Sequence, residues 1–245
     1  MTAVSPRLVI TPAEAFGRAA ADEFVRLISE LDALVVGLPT GNTPLSVYAA
    51  LHEMAEARPG LLATIRRAFA IDEYVCPRDH PASNRAFFAR HWSTIPGAPP
   101  VEQFDPEAAA LDAEAVRMVA ELAGAGGLDI AVVGVGTNGH LAFNEPGSAV
   151  DSTARLVQLA PESRVASART FGPDAPRQGL TLGLSELLGA RRVLLLANGP
   201  AKATIVARAL RGPVTSDCPA SFLQQHQGLT VVLDEAAAGR LDSPH

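Results

Sequence analysis

The stretch LDIAVVGVG, residues 128–136, is an apolar run of strand length that ends in glycines. Its apolar residues do not alternate with polar ones, which is typical of a strand that is buried on both faces. Such strands belong to parallel sheets that lie between covering helices. Comparable runs recur along the chain between longer segments of helical period. We therefore predict an α/β architecture with a mostly parallel sheet covered by helices.

The other predicted strands lie on both sides of this stretch, and helix signals separate them. They are residues 7–11, 33–38, 68–75, 191–199 and 229–235. Thr11 and Glu14 have the spacing of a capping box, with Pro12 between them, which predicts a helix start directly after the first strand. A second helix is predicted to start at Thr43-Pro44, and a further one to cover residues 108–122.

The composition limits the size of the core and the kind of partner. The 245 residues are 48% hydrophobic, with a mean hydropathy of +0.17, which is enough for a large core. Residues 96–106 are the most linker-like stretch, but they are too few to separate domains, so residues 1–245 are predicted to form a single domain. The net charge of −6 argues against nucleic acid or an anionic membrane as a partner. We expect a small molecule instead.

The cysteines and the apolar runs indicate the compartment. Cys76 and Cys218 are the two cysteines of the chain, and they lack the spacing of a metal or redox motif. No apolar run approaches the roughly 20 residues that a membrane span needs, and the first residues do not have the pattern of a signal peptide. We therefore expect a soluble protein of the reducing cytoplasm.

Three glycines have the spacing G-x-G-x-x-G of a dinucleotide-binding loop: Gly134, Gly136 and Gly139. Such a loop needs a helix that starts at the glycines and an acidic residue about 20 positions later. Here Pro146-Gly147 stops any helix within two turns, and Asp151 comes too early. We therefore do not predict NAD binding. The glycines are interpreted as allowing a tight turn at the carboxyl end of a strand, where open α/β sheets place their ligands.

A loop of small residues, PTGNTP (39–44), follows the second predicted strand and precedes a helix. The free N–H groups and the positive dipole end of such a helix suit a phosphate. The loop lacks the lysine of a nucleotide-binding P-loop. An ordinary turn with Thr43 as N-cap explains the same residues. Arg169 and Lys202 could complete a phosphate site, although each taken alone could also be a solvated cation.

Acidic and imidazole side chains follow two other predicted strands. Asp72 and Glu73 come directly after an apolar run, as candidates for acid–base chemistry or as a plain surface turn. Asn138, His140 and Glu145 lie in the loop after residue 136. Histidine changes its charge near neutral pH, and a carboxylate five residues away could orient it, although a structural histidine is the competing interpretation.

Seven segments, in order over nearly the whole chain, resemble the glucosamine-6-phosphate deaminases, a family also called glucosamine-6-phosphate isomerases. They are residues 37–51, 71–75 (IDEYV), 79–88, 139–148 (GHLAFNEPGS), 163–171, 180–203 and 218–226. GHLAFNEP is the most specific of them, because the related 6-phosphogluconolactonases continue the Gly-His segment differently. The resemblance therefore favours a deaminase over a lactonase.

This resemblance implies a modified Rossmann-like fold without NAD, and conversion of glucosamine 6-phosphate and water to fructose 6-phosphate and ammonia. It places Asp72 at the carbons between which a proton moves. His140 then suits ring opening, and Glu145 sets its tautomer. No metal or organic cofactor is required. The residues expected to hold the phosphate are Gly41, Asn42, Thr43, Arg169 and Lys202.

Two positions depart from the family pattern. Asn138-Gly139-His140 stands where the family commonly has Asp-Gly-His, which removes a negative charge beside the histidine. Ser83-Asn84 is more similar to the lactonases. A lactonase therefore stays open. The sequence also does not distinguish a galactosamine-6-phosphate deaminase, or a homo-oligomer from a monomer. A non-catalytic sugar-phosphate sensor is not expected, because no DNA-binding module precedes the first strand.

Overall fold

The computed structural model describes residues 6–32 and 34–241. Its strands are β1 (Arg7–Thr11), β2 (Leu34–Leu38), β3 (Ile65–Ala70), β4 (Asp72–Tyr74), β5 (Val101–Glu102), β6 (Ile130–Gly134), β7 (Arg155–Gln158), β8 (Gln178–Thr181), β9 (Arg192–Ala197) and β10 (Leu229–Asp234). Its α-helices are α1 (Phe16–Ser29), α2 (Asn42–Ala57), α3 (Asn84–His91), α4 (Leu111–Gly124), α5 (Pro161–Phe171), α6 (Leu184–Leu188), α7 (Ala203–Arg211) and α8 (Glu235–Ala238).

Seven strands form one parallel sheet in the order β1-β10-β9-β6-β2-β3-β5. Successive residues of its central strands enter opposite cores. In β6, Ile130 and Val132 pack with residues of α1, α2 and α3, whereas Ala131 and Val133 pack with residues of α4, α6, α7 and α8. Both faces are therefore buried, which explains the continuous apolar runs and confirms the predicted α/β class.

The predicted strand at residues 68–75 is divided between two sheets. The chain leaves the parallel sheet at Ile71, and Asp72–Tyr74 then pairs antiparallel with β8 in a small sheet of order β4-β8-β7. The apolar residues of the run fill the core, whereas the two acidic side chains need polar partners outside it. The small sheet carries Asp72 toward the carboxyl edge of the large one.

The start of the first helix also differs from the expectation, because of local hydrogen bonding. The predicted capping box is absent: Pro12 is the N-cap of a short 3₁₀ turn at Ala13–Ala15, and the Thr11 hydroxyl donates to the carbonyl oxygen of Pro12. The second predicted strand is present as β2, and Ala33 lies outside the described residues. Within residues 6–32 and 34–241, no helix is both long and apolar enough to cross a membrane.

Candidate active site

A cleft of about 650 Å³ opens at the carboxyl ends of β9, β6, β2 and β3, which are four consecutive strands of the large sheet. Because parallel strands end at the same edge, the loops that follow them converge there. Helix α5 contributes one further wall. The polar side chains that line the cleft include Thr40, Thr43, Asp72, Tyr74, His140, Ser163, Asn198 and Lys202. The three loops singled out from the sequence therefore do meet in one place.

The start of α2 is suited to an anion. Gly41 is its N-cap, with a φ of +103° in the left-handed region that favours glycine. No side chain of the described residues caps this helix, and Gly41, Asn42 and Thr43 all line the cleft. Thr43 lies in the first turn and is not the N-cap; its hydroxyl donates to Oδ1 of Asn198 over 2.8 Å. The uncapped N–H groups favour a phosphate.

The structure brings one of the two candidate cations to the cleft. Lys202 ends a 3₁₀ turn after β9, and its Nζ donates to the carbonyl oxygen of Val135 over 2.8 Å. Burial lowers the pKa of Lys202, and an anionic ligand would oppose this effect by favouring the charged form. An ammonium has three N–H donors, and two remain for a ligand.

Arg169 does not itself line the cleft, and its role in phosphate binding stays a prediction. Ser163, Ser167 and Thr170 share the face of α5 that lines the cleft. Glu162 and Ala166, which lie seven and three residues before Arg169 and therefore near the same helix face, also line the cleft. The side chain of Arg169 is exposed to solvent.

His140 is held by a carboxylate and an amide behind the cleft. Its Nδ1 lies 3.1 Å from Oε2 of Glu145, and Nδ2 of Asn138 donates to the same oxygen over 2.8 Å. The backbone N–H of Ala160 donates to the other carboxylate oxygen of Glu145. Burial opposes the ionisation of Glu145, but the hydrogen bond and charge of His140 outweigh it and lower the pKa of Glu145 to about 2. Glu145 is therefore an anion at neutral pH, so Nδ1 of His140 carries a proton.

Asn138 acts on His140 through Glu145 rather than by facing the ring. Its Nδ2 contacts the carboxylate, and its Oδ1 accepts the backbone N–H of His140 over 3.3 Å. An amide can donate to the carboxylate, which an ionised aspartate at this position could not do. The departure at this position therefore keeps a donor on Glu145.

The glycine spacing is explained by the turn and by the imidazole. A Cβ on Gly136 would lie 2.3–2.5 Å from three ring atoms of His140, so the ring rests directly on this residue. Gly139 has a φ of +93°, and a Cβ there would lie 2.7 Å from Sγ of Cys218. The segment after the glycines forms turns instead of a helix. It has no helix N-terminus for a pyrophosphate, as expected from the sequence.

Asp72 is a buried carboxyl that lines the cleft. Burial and the neighbouring Glu73 carboxyl raise the pKa of Asp72 to about 7, whereas a hydrogen bond from Asn84 lowers it. A carboxyl with a pKa near neutrality can both accept and return a proton. Tyr74 stacks with Phe143 and lies edge-on to Phe171, which forms an aromatic wall beside Asp72.

Several cleft residues were not identified from the sequence as site residues. They are Thr40, Tyr74, Asn84, Ser163 and Asn198. Asn198 directly follows a buried strand, which is the signal that singled out the other loops. Ser163 and Ser167 have helical spacing and form a polar stripe on α5. Among the described residues, no three His, Cys, Asp or Glu side chains are grouped as a metal site would need.

Comparisons with known proteins concern nearly the whole chain. A family model described as glucosamine-6-phosphate isomerases/6-phosphogluconolactonase matches residues 11–232. The chain is 38% identical over 241 residues to a protein of Streptomyces coelicolor, with 96% of this chain and 92% of the relative covered. It is 42% identical over 223 residues to a protein of Rhodopirellula baltica, with 89% and 88% covered. Both relatives are named glucosamine-6-phosphate deaminase.

Solved structures show the same relationship. A monomeric glucosamine-6-phosphate deaminase superposes with a TM-score of 0.89 at 31% identity, covering 95% of this chain and 99% of that one. A 6-phosphogluconolactonase from Trypanosoma cruzi superposes with a TM-score of 0.78 at 22% identity, covering 98% of both chains. The second likeness concerns the fold alone.

Proposed function

The chain belongs to the family of glucosamine-6-phosphate isomerases and 6-phosphogluconolactonases, and within it we propose that the chain is a glucosamine-6-phosphate deaminase. It converts glucosamine 6-phosphate and water to fructose 6-phosphate and ammonia. The observation that carries this proposal is one cleft that combines an uncapped helix start, a buried carboxyl with a pKa near neutrality and a carboxylate-held histidine. Relatives with that name, about 40% identical, support it.

The phosphate is bound by the first turn of α2 and by Lys202. Backbone N–H groups of Gly41, Asn42 and Thr43 donate to its oxygens, and the ammonium of Lys202 balances its charge. Asn198 holds the Thr43 hydroxyl at the same end of the cleft. Anchoring one end of the sugar places its reacting carbons at the acid–base groups.

His140 opens the pyranose ring. Its Nε2 removes the proton of the anomeric hydroxyl and returns a proton to the ring oxygen, which leaves an aldehyde at carbon 1. Glu145 accepts from Nδ1 and so directs the exchangeable Nε2 position toward the substrate. Asn138 positions Glu145 for this role.

Asp72 carries out the isomerisation. Its carboxylate removes the proton from carbon 2, which gives an enolamine with a double bond between carbons 1 and 2. The same carboxyl returns the proton to carbon 1, and carbon 2 becomes a ketimine. Water adds to this carbon and ammonia leaves, which completes fructose 6-phosphate.

A substrate panel tests the assignment. Ammonia release is measured with glucosamine 6-phosphate, galactosamine 6-phosphate and unphosphorylated glucosamine, and lactone loss is measured with 6-phosphogluconolactone. We expect ammonia from the first substrate with the highest kcat/KM. Efficient lactone hydrolysis without ammonia release would assign the lactonase activity, and preference for galactosamine 6-phosphate would assign the other epimer.

Replacing Lys202 with alanine is expected to raise KM by about 10- to 100-fold with a much smaller change in kcat. The ammonium contacts the phosphate, which does not react, and a lost hydrogen bond to a charged group corresponds to about that factor. The measurement is steady-state deamination, with unphosphorylated glucosamine as a control substrate that the variant and the unaltered enzyme process equally poorly. A large fall in kcat at unchanged KM would contradict the assignment.

We also propose that the chain folds as one domain in the cytoplasm. Two cores on opposite faces of one continuous sheet support the first point, and two free, buried cysteines support the second. A solved relative is described as monomeric, which makes a monomer the first hypothesis for assembly. Light scattering in solution tests it, and a homo-oligomer would overturn it.

A further inference from the structure

We propose that Asn84 is a positioning residue that holds the Asp72 carboxylate in place for proton transfer, and that the Thr40 hydroxyl holds the other end of the Asn84 amide. This inference rests on the proposed function, in which Asp72 moves the proton. It gives a role to Asn84, which belongs to a departure from the family pattern, and to Thr40, which lies next to the phosphate loop.

The amide of Asn84 contacts residue 72 twice. Its Nδ2 donates to Oδ1 of Asp72 over 2.7 Å and to the carbonyl oxygen of Asp72 over 2.9 Å. An amide nitrogen has two N–H groups, and both are used here. One bond holds the carboxylate of Asp72 and the other holds its backbone carbonyl. The side-chain torsion angles of Asp72 are therefore restrained, which keeps the carboxylate in one rotamer.

Thr40 contacts the oxygen end of the Asn84 amide. Its hydroxyl donates to Oδ1 of Asn84 over 2.8 Å, and all three residues belong to the edge where β2 and β3 end. A reversed amide would place its oxygen against two oxygen acceptors of Asp72, so these acceptors select the observed orientation. The hydroxyl then donates to the amide oxygen and holds the side chain in that orientation.

Glu73, the acidic residue next to Asp72, holds the backbone of Asn84. Glu73 is fully buried, and its carboxylate accepts the backbone N–H groups of Asn84, Arg85 and Tyr74 over 2.7, 3.0 and 2.9 Å. These bonds tie the first turn of α3 to β4, the strand that carries Asp72. Glu73 is therefore a structural anchor for the helix, and the surface turn considered from the sequence does not describe it.

The hydrogen bond from Asn84 also affects the pKa of the Asp72 carboxyl. Asn84 donates to the charged form, so its loss should raise the pKa of Asp72 further. The charged and titratable groups that act on this site are Glu73 and Tyr74 on the same strand, Tyr48 of α2 and Arg85 of α3. Burial raises the pKa of both tyrosines, which stay neutral in the assayed range. Burial also raises the pKa of Glu73, against its three backbone donors, so this acid contributes to the same titration.

Two substitutions with matched controls test the proposal. Asn84→Ala removes the donor, and Thr40→Val removes the hydroxyl while keeping the shape of the side chain. We expect kcat to fall by about 10- to 100-fold in Asn84→Ala, with KM within about threefold, and the acidic limb of kcat to move up by about one pH unit. Thr40→Val should shift the limb in the same direction by less.

The controls separate positioning from general damage. Thr40→Ser keeps the hydroxyl and should restore the original limb. Ser83→Ala removes the N-cap of the same helix, whose Oγ accepts the backbone N–H of Ala86, without a contact to Asp72. It should lower thermal stability and leave the limb in place. An equal shift in Ser83→Ala, or none in Asn84→Ala and Thr40→Val, would overturn the proposal.

A titration without substrate keeps the test independent of the proposed function. The Asp72 carboxyl is observed by NMR after ¹³C labelling of aspartate, with Asp72→Asn for its assignment. We expect it to titrate at higher pH in Asn84→Ala and Thr40→Val than in the unaltered protein. An unchanged Asp72 titration refutes the positioning role whatever the activity, whereas absent ammonia release by the unaltered protein refutes the proposed function alone.

Discussion

Asp72→Asn is expected to lower the rate of deamination by about 10²- to 10⁴-fold, because an amide cannot accept a proton from carbon 2 and return it to carbon 1. The phosphate site should be unaffected, since Gly41, Asn42 and Lys202 come from other loops. The measurement is kcat in D₂O together with deuterium at carbon 1 of fructose 6-phosphate. A non-reactive amino alditol 6-phosphate should bind the variant with nearly the original Kd.

Stability provides the control for this variant. The pKa of Asp72 is raised to about 7 in the folded state, so the folded protein binds a proton more tightly than the unfolded chain. Above the unfolded pKa, near 4, this carboxyl therefore destabilises the fold increasingly until the pH passes the folded value. Asp72→Asn should be at least as resistant to urea as the unaltered protein at pH 7.5, and the gain should vanish at pH 4. Persistent deuterium exchange near the original rate would assign the base to another residue.

The central strands could be predicted from the sequence because their burial leaves a local signal. β2, β6, β9 and β10 are mostly apolar runs, since their apolar residues enter one core or the other. β7 and β8 leave no such signal: each has four residues, and β7 is half-exposed. Their place is set by pairing: β8 pairs with β4, which is distant in the chain, and β7 pairs with β8. Pairing of this kind depends on tertiary structure and not on local periodicity.

Those site residues that follow the apolar run of a predicted strand could be identified from the sequence. Asp72, His140 and Lys202 all do so, and the structure brings them to one cleft. Contacts between segments could not be predicted. The role of Glu73 depends on backbone donors eleven and twelve residues later. The position of the Arg169 side chain depends on how α5 packs beside the cleft, which its sequence alone does not determine.

The second large effect on activity is expected at Gly136, in the glycine-rich turn. Gly136→Ala is expected to lower kcat by at least about 10²-fold, because the added Cβ would lie 2.3–2.5 Å from the imidazole of His140 and must displace it. The ring would then lose its contact with Glu145. Gly134→Ala is the matched control from the same spacing: its Cβ would meet only the carbonyl oxygen of Leu196, at 3.9 Å, which is ordinary contact. It should retain most of the activity.

A double-mutant cycle identifies the ring as the cause. If the new methyl group acts by pushing the imidazole away, it has nothing left to displace once His140 is alanine. Gly136→Ala should therefore add almost nothing to the effect of His140→Ala, although each alone is severe. Thermal unfolding should change little in Gly136→Ala, because the displaced group is the end of a side chain that borders an open cleft. Multiplicative losses in the double variant would mean that Gly136 matters through the backbone turn, and the imidazole contact would then no longer explain why this position is glycine.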